Sequence, residues 1–317
     1  MLDVQNLSTV FQVHSHEVTA VDQISFQIPE KTVVGLVGES GSGKSVTSQS
    51  ILQILPPNGQ IKSGQLHWKG QDLMQLSRKE LQQIRGKEIG MIFQNPLSAL
   101  NPVFTIGNQL IETICLHQNT SPKEARKIAA SLLKKVNIPD PETRLDDYPH
   151  QFSIGMCQRI MIALSIASRP QLLIADEPTA SLDVTIQAQI LSLLNDLKSE
   201  LNMSILLISH DLGVIAQHCD HILVMYLGKI VESGSPQDIF KSPLHPYTQA
   251  LIKSIPIPDP NIKQAPELIK GDIPSPMNLP SGCRFHPRCP EKLSKCEKEC
   301  PSLNTIKNTH KAACWLY

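Results

Sequence analysis

The sequence has no excess of charge of either sign and no long hydrophobic run. Lys and Arg together number 29, as do Asp and Glu, so the formal net charge is zero. This balance argues against a strongly basic nucleic-acid-binding protein, and we expect no nucleic-acid partner. No stretch approaches the roughly 20 consecutive apolar residues with which a helix spans a bilayer. Any role at a membrane must therefore depend on a partner protein.

Residues 1–25 also lack the continuous apolar block of a secretory signal peptide, because Asp, Gln, His and Glu interrupt the apolar residues. Without such a signal, clustered cysteines indicate metal ligands more than disulfides. The chain has eight cysteines, and those near its end are Cys283, Cys289, Cys296, Cys300 and Cys314. Their spacing matches neither a ferredoxin nor a double C-x2-C zinc pattern, so a set of reduced cysteines in a small domain stays open as the alternative.

Apolar periodicity along the chain predicts an α/β fold. Short apolar runs of strand length alternate with segments of helical spacing, which implies a mainly parallel sheet with helices on both faces. The predicted strands lie within residues 1–30 and at residues 32–37, 89–93, 172–175, 204–209 and 221–226. The predicted helices are residues 45–55, 184–201 and 212–219.

Two segments differ from this alternation. Residues 101–138 have helical spacing, and Ser121 to Glu124 form a capping box with Pro122 at the first helical position. We therefore expect a helical subdomain at about residues 95–160. Beyond about residue 236 proline is frequent and apolar periodicity is weak, so this tail is predicted to need a metal or a partner. The predicted domains are residues 1–235 and a smaller extension, residues 236–317.

Residues 38–45, Gly-Glu-Ser-Gly-Ser-Gly-Lys-Ser, fit the phosphate-binding pattern G-x-x-x-x-G-K-[ST] at every fixed position. Glycines allow a tight turn that points backbone N–H groups at phosphate oxygens, and the following helix N-terminus adds partial positive charge. Lys44 is predicted to neutralise phosphate charge, and Ser45 is predicted to hold Mg²⁺. The residues predicted to bind ATP here are Gly38, Ser40, Gly41, Ser42, Gly43, Lys44 and Ser45.

The apolar strand at residues 172–175 leads into two carboxylates, Asp176 and Glu177. Ligands of α/β sheets bind at the carboxyl ends of the strands. Asp176 is therefore predicted to hold Mg²⁺, and Glu177 to polarise the attacking water. Taken alone, the pair is also compatible with an exposed acidic turn, but the phosphate loop upstream favours the catalytic interpretation.

With these two motifs and several others in order, the sequence resembles the ABC ATPase family over residues 1 to about 235. Gln94 resembles the Q-loop glutamine, residues 181–183 resemble the D-loop, and His210 resembles the switch histidine. Residues 152–156, Phe-Ser-Ile-Gly-Met, stand where the family has its Leu-Ser-Gly-Gly-Gln signature. The resemblance implies catalytic roles for Gln94, Glu177 and His210 and a Mg²⁺ contact for Gln94. It also implies nucleotide contacts for Ser153, Gly155 and Asp183.

One residue departs from the family pattern. Ile154 stands where the family has glycine, at a helix N-terminus that contacts the γ-phosphate across a dimer interface in such proteins. Because isoleucine is β-branched, we expect it to weaken the composite site that this segment completes. The adenine-stacking residue is assigned to Phe11, although His14, His16 and Val18 are close in sequence and Phe11 is equally compatible with a core position.

The tail resembles the C-terminal extension of the ATPases of oligopeptide and dipeptide permeases. Residues 245–248, 274–276 and 279–290 carry this resemblance. It implies a 4Fe–4S cluster on Cys283, Cys289, Cys296 and Cys314, with Cys300 as the alternative fourth ligand. If the metal were Zn²⁺ instead, His286 or His310 could serve as a ligand.

The resemblance implies an ATPase subunit of a membrane importer, peripheral on the cytoplasmic face of the inner membrane. Its expected partners are a second, different ATPase chain, two transmembrane permease subunits and, indirectly, an external substrate-binding protein. Peptides are the expected cargo because they are the group's commonest; nickel, haem precursors and antimicrobial peptides are the alternatives. A catalytically weak partner subunit also remains open. A soluble ABC ATPase of ribosomes or DNA is disfavoured by the single phosphate loop, and a GTPase by the lack of an Asn-Lys-x-Asp motif.

Overall fold

The computed structural model describes residues 1–180, 182–255 and 271–317. In these residues the strands are β1 (Leu2–Val13), β2 (His16–Ile28), β3 (Val33–Val37), β4 (Gly59–Trp68), β5 (Gln71–Asp72), β6 (Ile89–Ile92), β7 (Leu172–Asp176), β8 (Ser204–Ser209), β9 (His221–Tyr226), β10 (Lys229–Gly234), β11 (Asn304–Lys307) and β12 (His310–Ala312). The α-helices are α1 (Lys44–Ile51), α2 (Arg78–Ile84), α3 (Pro96–Ala99), α4 (Ile106–Gln118), α5 (Pro122–Lys135), α6 (Pro141–Arg144), α7 (Ile154–Ile166), α8 (Val184–Leu201), α9 (Leu212–His218), α10 (Pro236–Lys241) and α11 (Pro246–Lys253).

The chain forms two compact units. Unit 1 consists of Met1–Ile28, Val33–Met74 and Leu207–Tyr317, and unit 2 of Pro29–Thr32 and Gln75–Leu206. None of the described helices is both long and apolar enough to cross a bilayer.

Unit 1 contains a four-stranded antiparallel sheet in the order β2-β1-β4-β5. It also contains the run β11-β12-β10-β9-β3, in which β3 and β9 are parallel and the other neighbours are antiparallel. The predicted strands β3 and β9 pair in parallel, as expected, but β10, which the sequence did not indicate, pairs antiparallel with β9. The reason is local, because Leu227 and Gly228 both have positive φ and close a two-residue turn that can join only antiparallel strands.

Unit 2 carries the predicted helical segment. Strands β6 and β7 pair in parallel, with Ile89 opposite Leu172. Helices α4 and α5 pack on each other and each also packs on α7. Helix α5 begins as predicted, since the Ser121 side chain accepts the N–H of Glu124 at 3.3 Å and Pro122 follows the cap. The buried face of α5 consists of Ala125, Ala129 and Leu133.

The C-terminal tail has more structure than its composition indicates. It supplies α10, α11, β11 and β12, and its aromatic residues join a cluster with Tyr226 of β9. Ring centroids lie 4.6 Å apart for Tyr226 and Tyr247, 5.3 Å for Tyr226 and Phe285, and 5.4 Å for Tyr247 and Phe285. All three side chains are buried. The tail is therefore stabilised partly by packing on the strands of unit 1.

A buried polar network in unit 1 adds to this packing. Glu232 of β10 is fully buried, and its carboxylate accepts the N–H groups of Leu244 and His245, each at 2.8 Å. The ring of His310 on β12 lies 2.7 Å from the same carboxylate. One side chain thus joins β10, β12 and the segment before α11.

Candidate nucleotide-binding site

The phosphate loop lies between β3 and α1, as predicted, and its glycines are required by the backbone around it. A Cβ atom at Gly38 would lie 2.1 Å from the carbonyl oxygen of Met225, and one at Gly43 would lie 2.4 Å from that of Ala20. Gly43 also has φ +105°, a conformation that other residues adopt only with strain. Any side chain at these two positions would displace the loop.

Polar groups of the loop fit a polyphosphate. Lys44 is 4 % exposed, and its ammonium group donates to the carbonyl oxygens of Gly38 at 2.8 Å and Glu39 at 3.0 Å. The hydroxyl of Ser42 is buried and has no hydrogen-bond partner among the described residues. Ser45 is half-buried in the first turn of α1, while Ser40 and Gly41 are exposed. The loop thus contains a buried cation and a buried hydroxyl, and their contacts with phosphate stay predictions.

Unit 2 contains the predicted acidic residues and the predicted glutamine. Asp176 is the last residue of β7 and is 3 % exposed. Glu177 follows it with φ +45°, an uncommon conformation for a residue with a side chain. The amide nitrogen of Gln94 lies 3.0 Å from a carboxylate oxygen of Glu177. The structure therefore brings together two side chains that are 83 residues apart in sequence.

The signature-like segment begins a helix. Ser153 is the N-cap of α7, and its hydroxyl accepts the N–H of Met156 at 3.3 Å. Ile154 follows and is 48 % exposed. Gly155 comes close to α8, since a Cβ atom there would lie 3.3 Å from a methyl group of Ile186. The exposed N-terminus of α7 is thus available to a ligand or partner.

The next three predicted residues are Asp183 and Phe11, which have ordinary structural contacts, and His210, which lies at the end of a strand. Asp183 is the N-cap of α8 and accepts the N–H groups of Thr185 and Ile186, each at 3.0 Å; Ser181 of the same predicted loop lies outside the described residues. Phe11 is half-buried on β1 of unit 1, and its ring covers Gly59. His210 is exposed directly after β8. The nucleotide roles of Phe11, Asp183 and His210 stay predictions.

The predicted iron–sulfur site is not supported by the described residues. No described group of three or more Cys, His, Asp or Glu side chains is arranged to hold a metal ion. Burial raises the pKa of Cys283 to about 11 and also raises the pKa values of Cys289 and Cys314, with smaller contributions from neighbouring thiols. The shifts show that the three thiols are partly buried, and they give no support for a shared metal ion.

The histidines proposed as zinc ligands already have partners in unit 1. His310 contacts the buried carboxylate of Glu232, and the ring of His286 lies 2.9 Å from the carbonyl oxygen of Cys283. Each contact uses one ring nitrogen, as it does in metal-bound histidines, so the contacts do not exclude zinc. The zinc alternative lacks support because no described group of His, Cys, Asp and Glu is arranged to hold a metal ion.

Sequence motifs did not identify the residues that surround Glu39, the second residue of the phosphate loop. Glu39 contacts Tyr247 and Arg288 of the C-terminal tail. The motif leaves position 39 unrestricted, so the only signal in the sequence is a charged residue at that position.

Comparison with protein families gives two matches. The family model described as ABC transporter matches residues 21–180, half of the chain. The model described as oligopeptide/dipeptide transporter, C-terminal region, matches residues 231–296. The first covers the phosphate loop and the two carboxylates, and the second covers most of the tail.

Comparison with individual proteins agrees with these matches. The oligopeptide transport ATP-binding protein AppD of Bacillus subtilis is 47 % identical over 318 residues, covering 100 % of this chain and 97 % of that protein. The dipeptide transport ATP-binding protein DppD of Escherichia coli is 46 % identical over 314 residues, covering 99 % and 96 %. Among solved structures, the dimeric ATP-binding cassette MJ0796 bound to ADP and Pi has a TM-score of 0.68 at 25 % identity, covering 74 % of this chain and 99 % of that one.

These matches confirm the predicted α/β fold of a P-loop ATPase. The similarity to AppD covers the whole chain. The chain belongs to the ABC transporter family, as an ATP-hydrolysing subunit of the branch that carries the oligopeptide/dipeptide transporter C-terminal region.

Proposed function

We propose that this chain powers the import of dipeptides or oligopeptides through transmembrane permease subunits. The observation that carries the proposal is the match of residues 231–296 to the oligopeptide/dipeptide transporter C-terminal region. Two relatives whose names specify oligopeptide and dipeptide transport are similar to the chain over almost its full length. Peptide specificity itself belongs to the permease subunits and an external binding protein, which this chain does not contain.

Within the chain we assign the chemistry as follows. Lys44 and the N–H groups of the phosphate loop bind the β- and γ-phosphates, and Ser45 and Asp176 hold Mg²⁺. Glu177 polarises the attacking water, and its hydrogen bond to Gln94 supports a shared role of these two side chains. His210 contacts the γ-phosphate. The protein contributes positioning and electrostatic stabilisation, without a covalent intermediate on the protein.

The assembly that we propose is a heterodimer of ATPase chains on the inner face of the membrane, with two permease subunits. A dimer is supported by the relative MJ0796, whose structure is described as dimeric. The exposed N-terminus of α7, with Ser153 and Gly155, completes the site of the partner ATPase. We also propose that residues 1–235 form the ATPase domain, with a helical subdomain at about residues 95–160, and that residues 236–317 form the extension.

Uptake of a labelled dipeptide and a labelled pentapeptide tests the cargo. Cells that carry the wild-type chain are compared with cells that carry Glu177→Gln and with a control that carries Glu142→Gln, a change at an exposed residue of α6. We expect Glu177→Gln to abolish uptake and Glu142→Gln to preserve it, while the preferred peptide length identifies the permease type. Uptake of both peptides that is unchanged by Glu177→Gln would overturn the proposal and direct the search to nickel or haem precursors.

The 4Fe–4S cluster and its Zn²⁺ alternative rest on the resemblance of the tail alone. Iron, sulfide and zinc analysis of anaerobically purified protein tests them directly. Stoichiometric iron and sulfide would support the cluster, and zinc alone would support the alternative. If neither is bound, the five tail cysteines are reduced residues of a small packed extension.

A further inference from the structure

Glu39 of the phosphate loop is held at all of its polar groups. Its carboxylate accepts two hydrogen bonds from the guanidinium of Arg288, at 2.8 and 3.2 Å. Its N–H donates to the hydroxyl of Tyr247 at 2.9 Å, and its carbonyl oxygen accepts from Lys44 at 3.0 Å. Two of these three links come from the C-terminal region, 249 and 208 residues away in sequence.

The link between Arg288 and Glu39 lies in a well-packed part of unit 1. The side chain of Arg288 is 6 % exposed and that of Glu39 is 23 % exposed. Burial disfavours the charged guanidinium, but the hydrogen bonds to Glu39 and Tyr226 outweigh it and raise the pKa of Arg288. Bidentate arginine–carboxylate pairs are among the strongest and most directional side-chain contacts. The pair therefore fixes the position of the Glu39 side chain.

The aromatic cluster holds the two tail residues in place. Arg288 lies 3.3 Å from the hydroxyl of Tyr226, and its guanidinium stands 5.9 Å from the centre of that ring. Tyr247 packs against Tyr226 and Phe285 and is fully buried. Neither Arg288 nor Tyr247 can move away from Glu39 without disturbing this cluster.

A second arginine of the tail contacts a turn that is hydrogen-bonded to the phosphate loop. Arg284 hydrogen-bonds the carbonyl oxygen of Leu227 and pairs with Asp22. The adjacent Gly228 donates its N–H to the carbonyl oxygen of Ser42 at 2.8 Å. The phosphate loop is thus linked to residues 284–288 directly at Glu39 and, through the turn at residues 227–228, at Ser42.

A loop that binds phosphate through backbone N–H groups works best when those groups are already oriented. Glu39 lies between Gly38 and Ser40, so its anchoring restricts the φ and ψ angles on both sides. We propose that Arg288 and Tyr247 are positioning residues for the phosphate loop, which act through Glu39 so that the affinity for ATP depends on the C-terminal region. The proposal concerns nucleotide binding by the chain itself and does not depend on the cargo.

The test measures the Kd for ATP with Mg²⁺ on the purified full-length chain by isothermal titration calorimetry. The variants are Arg288→Gln, Glu39→Gln, their double mutant and Tyr247→Phe, which keeps the ring in the cluster. Lys292→Gln serves as the matched control, because it breaks an exposed tail ion pair with Glu297 that has no contact with the loop. Thermal unfolding of every variant is recorded in parallel.

We expect Arg288→Gln and Glu39→Gln each to weaken ATP binding about tenfold, and the double mutant to be no weaker than either single variant. Tyr247→Phe weakens binding by a smaller factor, and Lys292→Gln leaves it unchanged. In steady-state assays of the assembled ATPase, the KM for ATP rises while kcat changes by less than about twofold.

Three results would overturn the proposal. If Arg288→Gln and Glu39→Gln have unchanged ATP affinity and only a lower unfolding temperature, the contact stabilises the tail and does not position the phosphate loop. Losses that multiply in the double mutant would show that the two residues act separately. If Arg288→Gln does not fold, unchanged affinity in both Glu39→Gln and Tyr247→Phe would be equally decisive.

Discussion

At the scale of single residues, Ile154 is the position where a substitution is expected to raise ATP turnover. It follows the N-cap of α7, and its side chain is 48 % exposed, so it contributes little to the core. Replacement by glycine removes a β-branched group from a helix N-terminus that is assigned to a phosphate of the partner's site. We expect Ile154→Gly to raise ATP turnover of the assembled transporter about threefold, which corresponds to about 0.7 kcal/mol.

The control for this prediction is Ile154→Val, which keeps the branch at Cβ and is expected to leave turnover unchanged. Turnover is measured at saturating ATP on the complex, because the segment is assigned to the site of the partner chain. If Ile154→Gly and the wild type have the same turnover, the isoleucine does not obstruct the site.

Residues whose position depends on neighbours in sequence could be predicted, and those whose position depends on distant contacts could not. Lys44 begins α1 after the loop that follows β3, and Asp176 ends β7, where the local motifs predict them; their roles stay predictions. The link between Glu39 and Arg288 joins residues that are 249 positions apart. Neither residue type nor spacing indicates such a pair, because only the packing of the tail on unit 1 brings them together.

At the scale of elements, the start of α11 is expected to make stability depend on pH. His245 is the N-cap of this helix, and its ring nitrogen accepts the N–H of Tyr247 at 3.1 Å. Burial lowers the pKa of His245 to about 3, whereas an unfolded chain has a histidine pKa of about 6.5. The folded state therefore excludes a proton that the unfolded state binds. The contribution of His245 to the free energy of unfolding is therefore complete above about pH 6.5 and is lost progressively as the pH decreases towards about 3.

The measurement is urea unfolding of His245→Asn and wild type at about pH 7.5 and about pH 5.5. Asparagine can cap the helix but does not titrate, so the variant is expected to lose less stability between the two pH values. Its advantage can reach about 1.4 kcal/mol per pH unit, the value for one proton. His16→Asn, at an exposed site, should keep the wild-type dependence. An equal loss in His245→Asn and wild type would contradict the assignment.

Elements with strong periodicity were predicted well, and elements held by pairing were not. The predicted segments 184–201, 204–209 and 221–226 agree with α8, β8 and β9 at both ends. Helix α1 ends at Ile51 and not at residue 55, because Gln53 adopts positive φ before the two prolines. The sequence did not indicate β4, because Gln, Lys and Ser leave it with little alternation of apolar and polar residues. This strand is held in place by pairing with β1.

At the scale of the whole molecule, none of the described helices is long and apolar enough to span a membrane. The family assignment places the chain's function in an assembly, and we propose that two ATPase chains close on ATP to drive transport. Hydrolysis reopens the pair in this mechanism. A variant that binds ATP but cannot hydrolyse it should therefore remain closed, and Glu177→Gln is the change that removes the proposed water-polarising carboxylate while preserving its shape.

We expect Glu177→Gln, mixed with the partner ATPase chain and Mg²⁺-ATP, to elute from a size-exclusion column as a stable one-to-one pair, while wild type and Glu142→Gln separate once ATP is consumed. Alone, the variant should elute as a monomer, because the proposed pair consists of two different ATPase chains. A stable self-pair of the variant would contradict the heterodimer and favour two copies of this chain. Failure of the variant to pair with the partner chain or with itself, although it still binds ATP, would contradict the proposed role of Glu177. Loss of the carboxylate would then not keep the pair closed.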